Sequence, residues 1–586
     1  MKLKRLEIKN LRRIEYANIN FSPASFLIGS NNVGKTSVIK ALEALLSIGN
    51  TITLEDYRLL PSGQRAEIIE ICGYFSDIDT ETANSRGFKG RVVNGEYYYK
   101  KVFTLSEKKP KIFTKQYRYT LSSDYNNVSK WQDLIDKGYS EYELKKLFNK
   151  SRPKNDKLSS KWELYIDDAI NWDFESKPQE IENPGGLPGI VNSKLPKLIH
   201  IPSYANVDDI GKADNNKTLL GKCLEILFDD LLSHSELATT IQQDLDLLQN
   251  EMLSDEENSM INRLCTDVNS IIEDVFPKCG IQIKPFLDEI SSVLKPKYSV
   301  EMYSNVSTDA NRQGTGLVRT GIFSMLRYHS NLNNKIETKN KSLIVAFEEP
   351  EIYLHPSAAN LLRETIYALG KSDQIICTTH SPWMIDLSED LQSLTKLYLN
   401  EEGYTNAINY GLSEATNQLL NDEKIRLKMI KIFDDELSRA FFAQKCIIVE
   451  GDSEVIAIKN TLKLLPEECR KSILSKYQVL NARGKASIIS LAKYLKFLEI
   501  DFYVIHDRDL GTPGAEKFNK PIEDAVGDIT KIFKLEECLE DCLGYDVPSG
   551  DKPYIAYKET SKWKSWDEVP QNWKDTFIKI FNISNK

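Results

Sequence analysis

A glycine-rich segment between a predicted strand and a predicted helix lies near the start of the chain. It reads GSNNVGKTS from Gly29 to Ser37 and meets the pattern G-x-x-x-x-G-K-T in full. Backbone N–H groups of such a loop close around phosphate oxygens, while the lysine reaches the terminal phosphates and the threonine binds Mg²⁺. We therefore predict an ATP site whose loop residues are Gly29, Asn31, Asn32, Gly34, Lys35, Thr36 and Ser37, with Thr36 also a metal ligand.

Two carboxylates follow an apolar strand in the segment LIVAFEEPEIYLHP, residues 343–356. We expect Glu348 to hold Mg²⁺, through water, and Glu349 to polarise the attacking water. His380, in CTTHSP, follows the next apolar strand and is predicted to contact the γ-phosphate. A lone acidic pair or histidine would usually be structural, but the strand-end placement favours function here.

A second acidic set lies in the last quarter of the chain, where short apolar strands alternate with helices. Glu450 ends one strand and Glu454 follows one helical turn later, so both can face one point. Asp507 and Asp509 follow the strand FYVI, on one side of the chain, and Gly484 lies between the two pairs. Carboxylate oxygens suit Mg²⁺ or Mn²⁺, so the sequence predicts a metal site built from these four acids.

Composition narrows the class of protein. The 586 residues allow roughly three to four domains, and the predicted divisions are 1–216, 217–284, 285–434 and 435–586. The net charge of −9 argues against a surface coated for non-specific DNA binding. The nine cysteines show no CxxC spacing, and neither a signal peptide nor a membrane span is evident. We expect a cytoplasmic protein with reduced thiols and no membrane partner.

The spacings in the first part of the chain resemble the ABC-type ATPases of the SMC and RecF group. That resemblance assigns Arg12, in IKNLRRI, to the nucleotide site. It also implies a signature loop that caps the γ-phosphate of a second protomer, and Gly314 and Gly316 in RQGTGLVRTG are the nearest match. Because the loop departs from the usual LSGGQ pattern, capping and rapid turnover do not follow from it. No long coiled coil is predicted.

The second acidic set resembles a Toprim domain. An ABC-type ATPase followed by a Toprim domain is the arrangement of the OLD nucleases, whose relatives include the Gabija nuclease subunit and retron-associated effectors. The resemblance implies a two-metal site completed by Glu536, with Glu540 as the alternative, and by Lys562 as the group that neutralises developing charge. His506 precedes Asp507 directly, and packing is favoured over catalysis for it.

We therefore expect an α/β protein that begins with an ABC-type ATPase domain, which has a mixed sheet and flanking helices. A helical insertion at 217–284 is expected to serve dimerisation in a dimer or tetramer, and a Toprim domain with a parallel sheet follows. The resemblance implies an ATP-regulated DNA endonuclease of antiphage defence. Its implied partners are DNA and either a helicase-like subunit or a retron reverse transcriptase with its reverse-transcribed DNA.

Three other functions remain open on sequence grounds. A RecF-like repair ATPase would bind DNA without cutting it, but it has no need of converging carboxylates that repel one another without metal. A topoisomerase requires a nucleophilic tyrosine that 27 tyrosines do not single out, and a primase would carry a zinc element. A Toprim ribonuclease toxin that cleaves RNA, such as tRNA, would act on the same phosphodiester bond as a DNA nuclease. The sequence does not decide whether ATP activates or inhibits cleavage.

Overall fold

The computed structural model describes residues 1–85, 87–148, 156–158, 162–182, 191–192, 194–203, 300–303, 307–309, 343–352, 354–389, 392–433, 437–535 and 537–583, with isolated positions in 220–244 and 318–326. The chain divides into two compact units, residues 1–200 with 341–586, and residues 201–340. Apart from isolated positions, the predicted insertion 217–284 lies outside the described residues, as do Gly314 and Gly316.

The strands, in chain order, are β1 (Lys2–Leu11), β2 (Ile14–Asn20), β3 (Ala24–Ile28), β4 (Ile68–Ser76), β5 (Val92–Val93), β6 (Glu96–Thr104), β7 (Lys111–Gln116), β8 (Arg118–Leu121), β9 (Ile170–Asp173), β10 (Gln179–Glu182), β11 (Lys197–Ile201), β12 (Glu301–Tyr303), β13 (Ser307–Asp309), β14 (Leu343–Glu348), β15 (Gln374–Thr378), β16 (Gln392–Leu399), β17 (Thr405–Tyr410), β18 (Lys445–Val449), β19 (Tyr477–Asn481), β20 (Phe502–Asp507) and β21 (Ile532–Leu535).

The helices of the first unit are α1 (Lys35–Leu46), α2 (Thr80–Asn84), α3 (Trp131–Asp136), α4 (Glu141–Phe148), α5 (Pro356–Leu369), α6 (Leu412–Asn417), α7 (Asn421–Phe433), α8 (Asp452–Lys463), α9 (Glu467–Lys476), α10 (Lys485–Phe497), α11 (Pro513–Glu516), α12 (Asn519–Val526), α13 (Leu539–Leu543), α14 (Lys552–Thr560) and α15 (Gln571–Phe581). No helix among the described residues is both long and apolar enough to span a membrane.

One large mixed sheet forms the first part of this unit, in the order β10-β7-β6-β4-β1-β2-β17-β16-β3-β15-β14-β11. The half that contains β1, β2, β4, β6, β7 and β10 is antiparallel. In the other half, β3 pairs in parallel with β15 and β16, and β14 pairs in parallel with β15. Every residue of β3 and β14 is buried, which is typical of parallel strands covered on both faces. The predicted mixed sheet is therefore confirmed.

Helix α1 packs against the antiparallel half of the sheet and is held there at its C-terminal end by a buried lysine. Its apolar residues Val38, Leu42 and Leu45 share one core with Ile8 and Ile71. The Lys101 side chain on β6 is 1% exposed, and its Nζ donates to the carbonyls of Ala44 at 3.0 Å and Ser47 at 2.5 Å. Helix carbonyls in the last turn lack partners within the helix, so this ammonium group satisfies them.

The C-terminal part of the unit is a four-stranded parallel sheet in the order β19-β18-β20-β21. Helix α15 covers α8 through Trp573, which is fully buried and whose Nε1 donates to Thr461 Oγ1 at 2.8 Å. Helix α14 also packs on α8, where Asn460 Nδ2 donates to Thr560 Oγ1 at 2.8 Å. These contacts fix α8, the helix whose first turn carries Glu454. The predicted parallel sheet is confirmed.

Replacement of Trp573 by alanine should destabilise the C-terminal part of the chain. A buried aromatic side chain and its hydrogen bond to α8 would be lost, at a cost of about 3–5 kcal/mol. Chemical denaturation of the full chain, followed by circular dichroism, measures the change. Trp566→Ala is the matched control because that side chain is only partly buried, and an equal loss in both variants would contradict this packing role.

Candidate functional sites

The first site is a cavity of about 320 Å³ at the carboxyl ends of β3, β14 and β15. Because these strands are parallel neighbours, their following loops meet at one edge of the sheet. The structure brings together ten predicted residues around this cavity, and Gly29 lies at the start of the same loop. The lining residues are Arg12, Arg13, Asn31, Asn32, Gly34, Lys35, Thr36, Ser37, Glu348, Glu349, Thr378 and His380.

The first glycine of the loop is required by a close approach of backbone. Gly29 has a φ of 145°, and a Cβ placed on it would lie 2.3 Å from the carbonyl oxygen of Leu397 on β16. Only a residue without a side chain fits there. The loop can therefore turn tightly out of β3, and its N–H groups remain available to a phosphate.

Lys35 begins α1 and lies folded onto the loop. Its Nζ donates to the carbonyls of Gly29 and Ser30, both at 3.0 Å, and lies 2.7 Å from His380 Nε2. Burial lowers the pKa of Lys35 to about 8, while Glu349 and Glu348 act in the opposite direction. A phosphate group would supply the anionic partner that offsets this burial.

Glu349 and His380 face each other across the cavity. Glu349 has a φ of 44°, and its N–H donates to the Thr378 carbonyl at 2.9 Å, so the turn after β14 is tied to β15. Glu349 Oε1 lies 3.5 Å from His380 Nε2. Burial and the charge of Lys35 lower the pKa of His380, which keeps its imidazole neutral at pH 7. The neutral ring nitrogen accepts a hydrogen bond from Lys35.

Several supporting side chains were not predicted from sequence. His200 on β11 lies 2.7 Å from Glu43 Oε1 through Nδ1 and 3.5 Å from Glu348 Oε1 through Nε2. Burial acts to lower the pKa of His200, but these two carboxylates outweigh it and raise the pKa to about 9. Glu351 is held by Thr379, whose Oγ1 donates to its Oε1 at 2.5 Å. Nothing local marks these residues, because their partners are distant in sequence.

Arg12 reaches the site through a fixed turn. It has a φ of 52°, its N–H donates to the Asp56 carbonyl at 2.7 Å, and its Nε donates to Asp56 Oδ1 at 2.8 Å. Burial acts to raise the pKa of Asp56, but hydrogen bonds from Thr53 and Arg12 outweigh it and lower the pKa. The charged pair keeps the arginine at the rim of the cavity.

The second site lies at the carboxyl ends of β18 and β20, which are neighbours in the smaller sheet. Glu450 directly follows β18, and Glu454 lies in the first turn of α8, where its Oε2 accepts the Gly451 N–H at 3.1 Å. Asp507 ends β20, and Asp509 follows with a φ of 53°. The structure therefore brings the four predicted acids to one edge of the sheet.

These carboxylates are poorly solvated and repel one another. Burial and then the charges of Glu454, Glu450, Asp509 and Glu540 raise the pKa of Asp507 to about 8. Burial is also the largest cause that raises the pKa of Glu454 to about 7. Buried oxygens of Glu450 (Oε2), Asp507 (Oδ1) and Glu540 (Oε2) have no hydrogen-bond partner among the described residues.

The donor set fits a hard divalent cation such as Mg²⁺ or Mn²⁺, because unsatisfied buried carboxylate oxygens are the ligands these ions prefer. Within the described part of the chain, no three His, Cys, Asp or Glu side chains already stand in an arrangement that could hold an ion. Some side-chain movement would therefore accompany binding.

Two lysines that were not predicted contact this cluster. Lys485 is the first residue of α10, and its Nζ donates to the Asp507 carbonyl at 2.6 Å and to Asp509 Oδ2 at 2.8 Å. Lys552, at the start of α14, lies 3.1 Å from Oε1 of the buried Glu540. The position of Lys485 directly after Gly484, at a strand-to-helix turn, is the one sequence signal that could have marked it.

The outcome differs for each of three further residues that the sequence analysis named. Lys562 follows the far end of α14, is 61% exposed, and pairs with Glu559 at 2.5 Å, so the structure does not bring it to the carboxylates. Glu536 lies outside the described residues. His506 is fully buried, its Nδ1 lies 2.8 Å from the Asp507 carbonyl, and burial lowers its pKa to about 4, in keeping with the packing role.

Without metal, the titration of Asp507 should reduce the stability of the folded chain as the pH rises from about 4 to about 8. The folded chain retains a proton on Asp507 that the unfolded chain releases near its ordinary pKa of about 4, so rising pH favours unfolding. Asp507→Asn should therefore raise the Tm of chelator-treated protein most at pH 8.5, less at pH 6 and little near pH 4. Asp524→Asn, an exposed site, is the control, and an increase in Tm that does not depend on pH would contradict this titration.

Comparisons with known proteins agree with the two predicted domains. Residues 1–385 match the family described as "AAA ATPase domain", and residues 441–509 match "Overcoming lysogenization defect protein-like, TOPRIM domain". The chain is 23% identical over 520 residues to the Old nuclease of Escherichia phage P2, covering 87% of this chain and 77% of that protein. It is also 23% identical over 618 residues to Endonuclease GajA of Bacillus cereus (strain HuB5-5), covering 97% and 82%.

Among solved structures, an SMC head bound to the C-terminal winged-helix domain of ScpA aligns with a TM-score of 0.37 at 11% identity, over 71% of this chain and 100% of that chain. The two matched families use a nucleotide and divalent metal, in line with the sequence prediction. The chain belongs to the AAA ATPase-domain family, and in this chain an OLD-like TOPRIM domain follows the ATPase domain.

Proposed function

We propose that this protein is an ATP-binding, metal-dependent DNA endonuclease of the OLD type that acts in defence against phage. The observation that carries the proposal is the cluster of buried carboxylates with unsatisfied oxygens at the ends of β18 and β20. Folded chains avoid such an arrangement unless a cation satisfies it. The names of the relatives, a nuclease and an endonuclease, support phosphodiester cleavage as its use.

The chain's own residues suit hydrolysis of a phosphodiester. Glu450, Glu454 and Asp507 would hold Mg²⁺ or Mn²⁺, which supplies an activated water and charge stabilisation when bound. Lys552 stands half exposed beside the cluster, where it can neutralise charge on a substrate phosphate. Glu536 stays a prediction for the same site, whereas Lys562 is exposed at the end of α14 away from Lys552. Burial favours the protonated form of Asp507. A bound cation would replace that proton.

The first site would bind ATP with Mg²⁺ and control cleavage. Lys35 and the loop N–H groups would hold the phosphates, Thr36 and Glu348 the metal, and Glu349 would orient the attacking water. The neutral His380 would contact the γ-phosphate and would hold the Lys35 side chain in position by its hydrogen bond. We further propose that the protein works as a dimer or tetramer, in the cytoplasm, with a helicase-like subunit or a retron reverse transcriptase as partner.

Two substitutions in the first site should separate nucleotide binding from turnover. Lys35→Ala should abolish ATP binding, because the cation facing the phosphates is lost. Glu349→Gln should still bind ATP but hydrolyse it at least about a hundredfold more slowly, as expected when a general base is removed. Calorimetry and phosphate release measure these effects, with the exposed Lys371→Ala as control. Unchanged binding by Lys35→Ala would refute the phosphate-loop assignment.

Cleavage is tested with supercoiled plasmid and purified protein in Mg²⁺ or Mn²⁺, with and without ATP. We expect nicking or linearisation that Asp507→Ala abolishes while its ATP binding is retained. Asp524→Ala, an exposed aspartate on α12 that pairs with Lys520, is the matched control and should cut normally. Cleavage that persists in pure Asp507→Ala protein would rule out this metal site, and cleavage of RNA alone would redirect the substrate assignment.

A further inference from the structure

His200 connects two elements of the first site, although it is not among the described residues that line the cavity. It lies on β11, the edge strand beside β14 in the large sheet. Alternation along the strand places Leu198 and His200 on one face, and Leu198 packs against the core that contains α1. The strand therefore directs the imidazole toward the helix that follows the phosphate loop.

Each ring nitrogen of His200 faces a carboxylate on a different element. Nδ1 lies 2.7 Å from Oε1 of Glu43 on α1, and Nε2 lies 3.5 Å from Oε1 of Glu348 at the end of β14. An imidazole with an acceptor at both nitrogens is favoured in its doubly protonated form, so the bridge carries a positive charge. Only 23% of the His200 side chain and 8% of the Glu348 side chain are exposed, so water screens their attraction weakly.

The bridge meets α1 on the face that also carries Thr36. Positions 36 and 43 of this helix are separated by two turns, about 10 Å along the axis, so both side chains lie on one face. Thr36 and Glu348 both line the cavity, and their oxygens are ligands of the kind that Mg²⁺ prefers. A contact from Glu43 through His200 to Glu348 therefore fixes the rotation of α1 and its separation from the end of β14.

We propose that His200 is a positioning residue of the nucleotide site, which bridges Glu43 and Glu348 and so orients Glu348 toward the Mg²⁺ of the bound nucleotide. This inference rests on the proposed role of the first site in binding ATP with Mg²⁺, and it adds a residue outside the phosphate loop. The contact through Oε1 leaves other lone pairs of the Glu348 carboxylate for the ion or its water. His200 thus acts on the metal through Glu348, as groups that hold a metal ligand commonly do.

The dependence of nucleotide affinity on Mg²⁺ tests the proposal without any measurement of hydrolysis. Binding of the non-hydrolysable analogue AMP-PNP to the full chain is measured by calorimetry in EDTA and at increasing Mg²⁺ concentration. His200→Ala should raise the Mg²⁺ concentration at which the gain in affinity is half complete by about tenfold, the usual cost of losing a group that orients a metal ligand. Its Kd in EDTA should equal that of the wild type, because the phosphate loop is unchanged.

Three further variants distinguish the bridge from a general effect on folding. Glu43→Gln removes the far carboxylate of the bridge and should shift the Mg²⁺ midpoint in the same direction, which decides the question even if His200→Ala fails to fold. The double variant should shift the midpoint no further than His200→Ala alone, because both substitutions break one bridge. Lys40→Ala is the matched control, since Lys40 also pairs with Glu43, at 3.8 Å, and its loss leaves the bridge intact.

An unchanged Mg²⁺ midpoint in folded His200→Ala or in Glu43→Gln, additive shifts in the double variant, or an equal shift in Lys40→Ala would each overturn the proposal. So would an equal loss of AMP-PNP affinity in Mg²⁺ and in EDTA, which indicates a structural role alone. Wild-type protein that binds no AMP-PNP would overturn both this proposal and the ATP-binding part of the proposed function. The expected shift together with intact plasmid would support the role of His200 while counting against DNA cleavage, so the two failures are distinguishable.

Discussion

Neighbouring parallel strands end at the same edge of a sheet, and both candidate sites depend on that alignment. In the large sheet, the register of β14, β15 and β3 brings Glu348, Thr378 and the phosphate loop to one cavity. In the small sheet, the pairing of β18 with β20 brings Glu450 and Asp507 together. The residues concerned lie up to about 350 positions apart, and only strand pairing makes them neighbours.

The two sites handle charge in opposite ways. The first is a cavity in which Lys35 is partly desolvated, so a bound phosphate would offset the burial of this ammonium group. The second concentrates negative charge, and the buried Lys485 and the half-exposed Lys552 compensate for part of it. The first site therefore suits a phosphate beside Lys35 and the second suits a divalent cation between carboxylates, as expected of sites for nucleotide and for metal.

Sequence patterns predicted the strand ends and the acids at them because both are local signals. The loop GSNNVGKTS, the pair Glu348 and Glu349, and the D-x-D segment all follow short apolar runs, and the structure has strands there. The supporting residues could not be predicted in the same way. The tertiary fold alone brings Lys485 to Asp509 and His200 to Glu348. In the sequence, neither Lys485 nor His200 differs in pattern from an ordinary surface residue. Lys552 and Lys562 flank α14, and only its packing on α8 shows which end faces the carboxylates.

The lysine that holds the end of α1 links the antiparallel flank to the nucleotide loop. Helix α1 has 12 residues and is therefore about 18 Å long, with Lys35 at one end and the carbonyls bound by Lys101 at the other. The helix is thus a rigid connection between the phosphate loop and Lys101 of β6. A substitution at position 101 on β6 would therefore disturb the helix that begins with Lys35, although residue 101 itself contacts the opposite end of that helix.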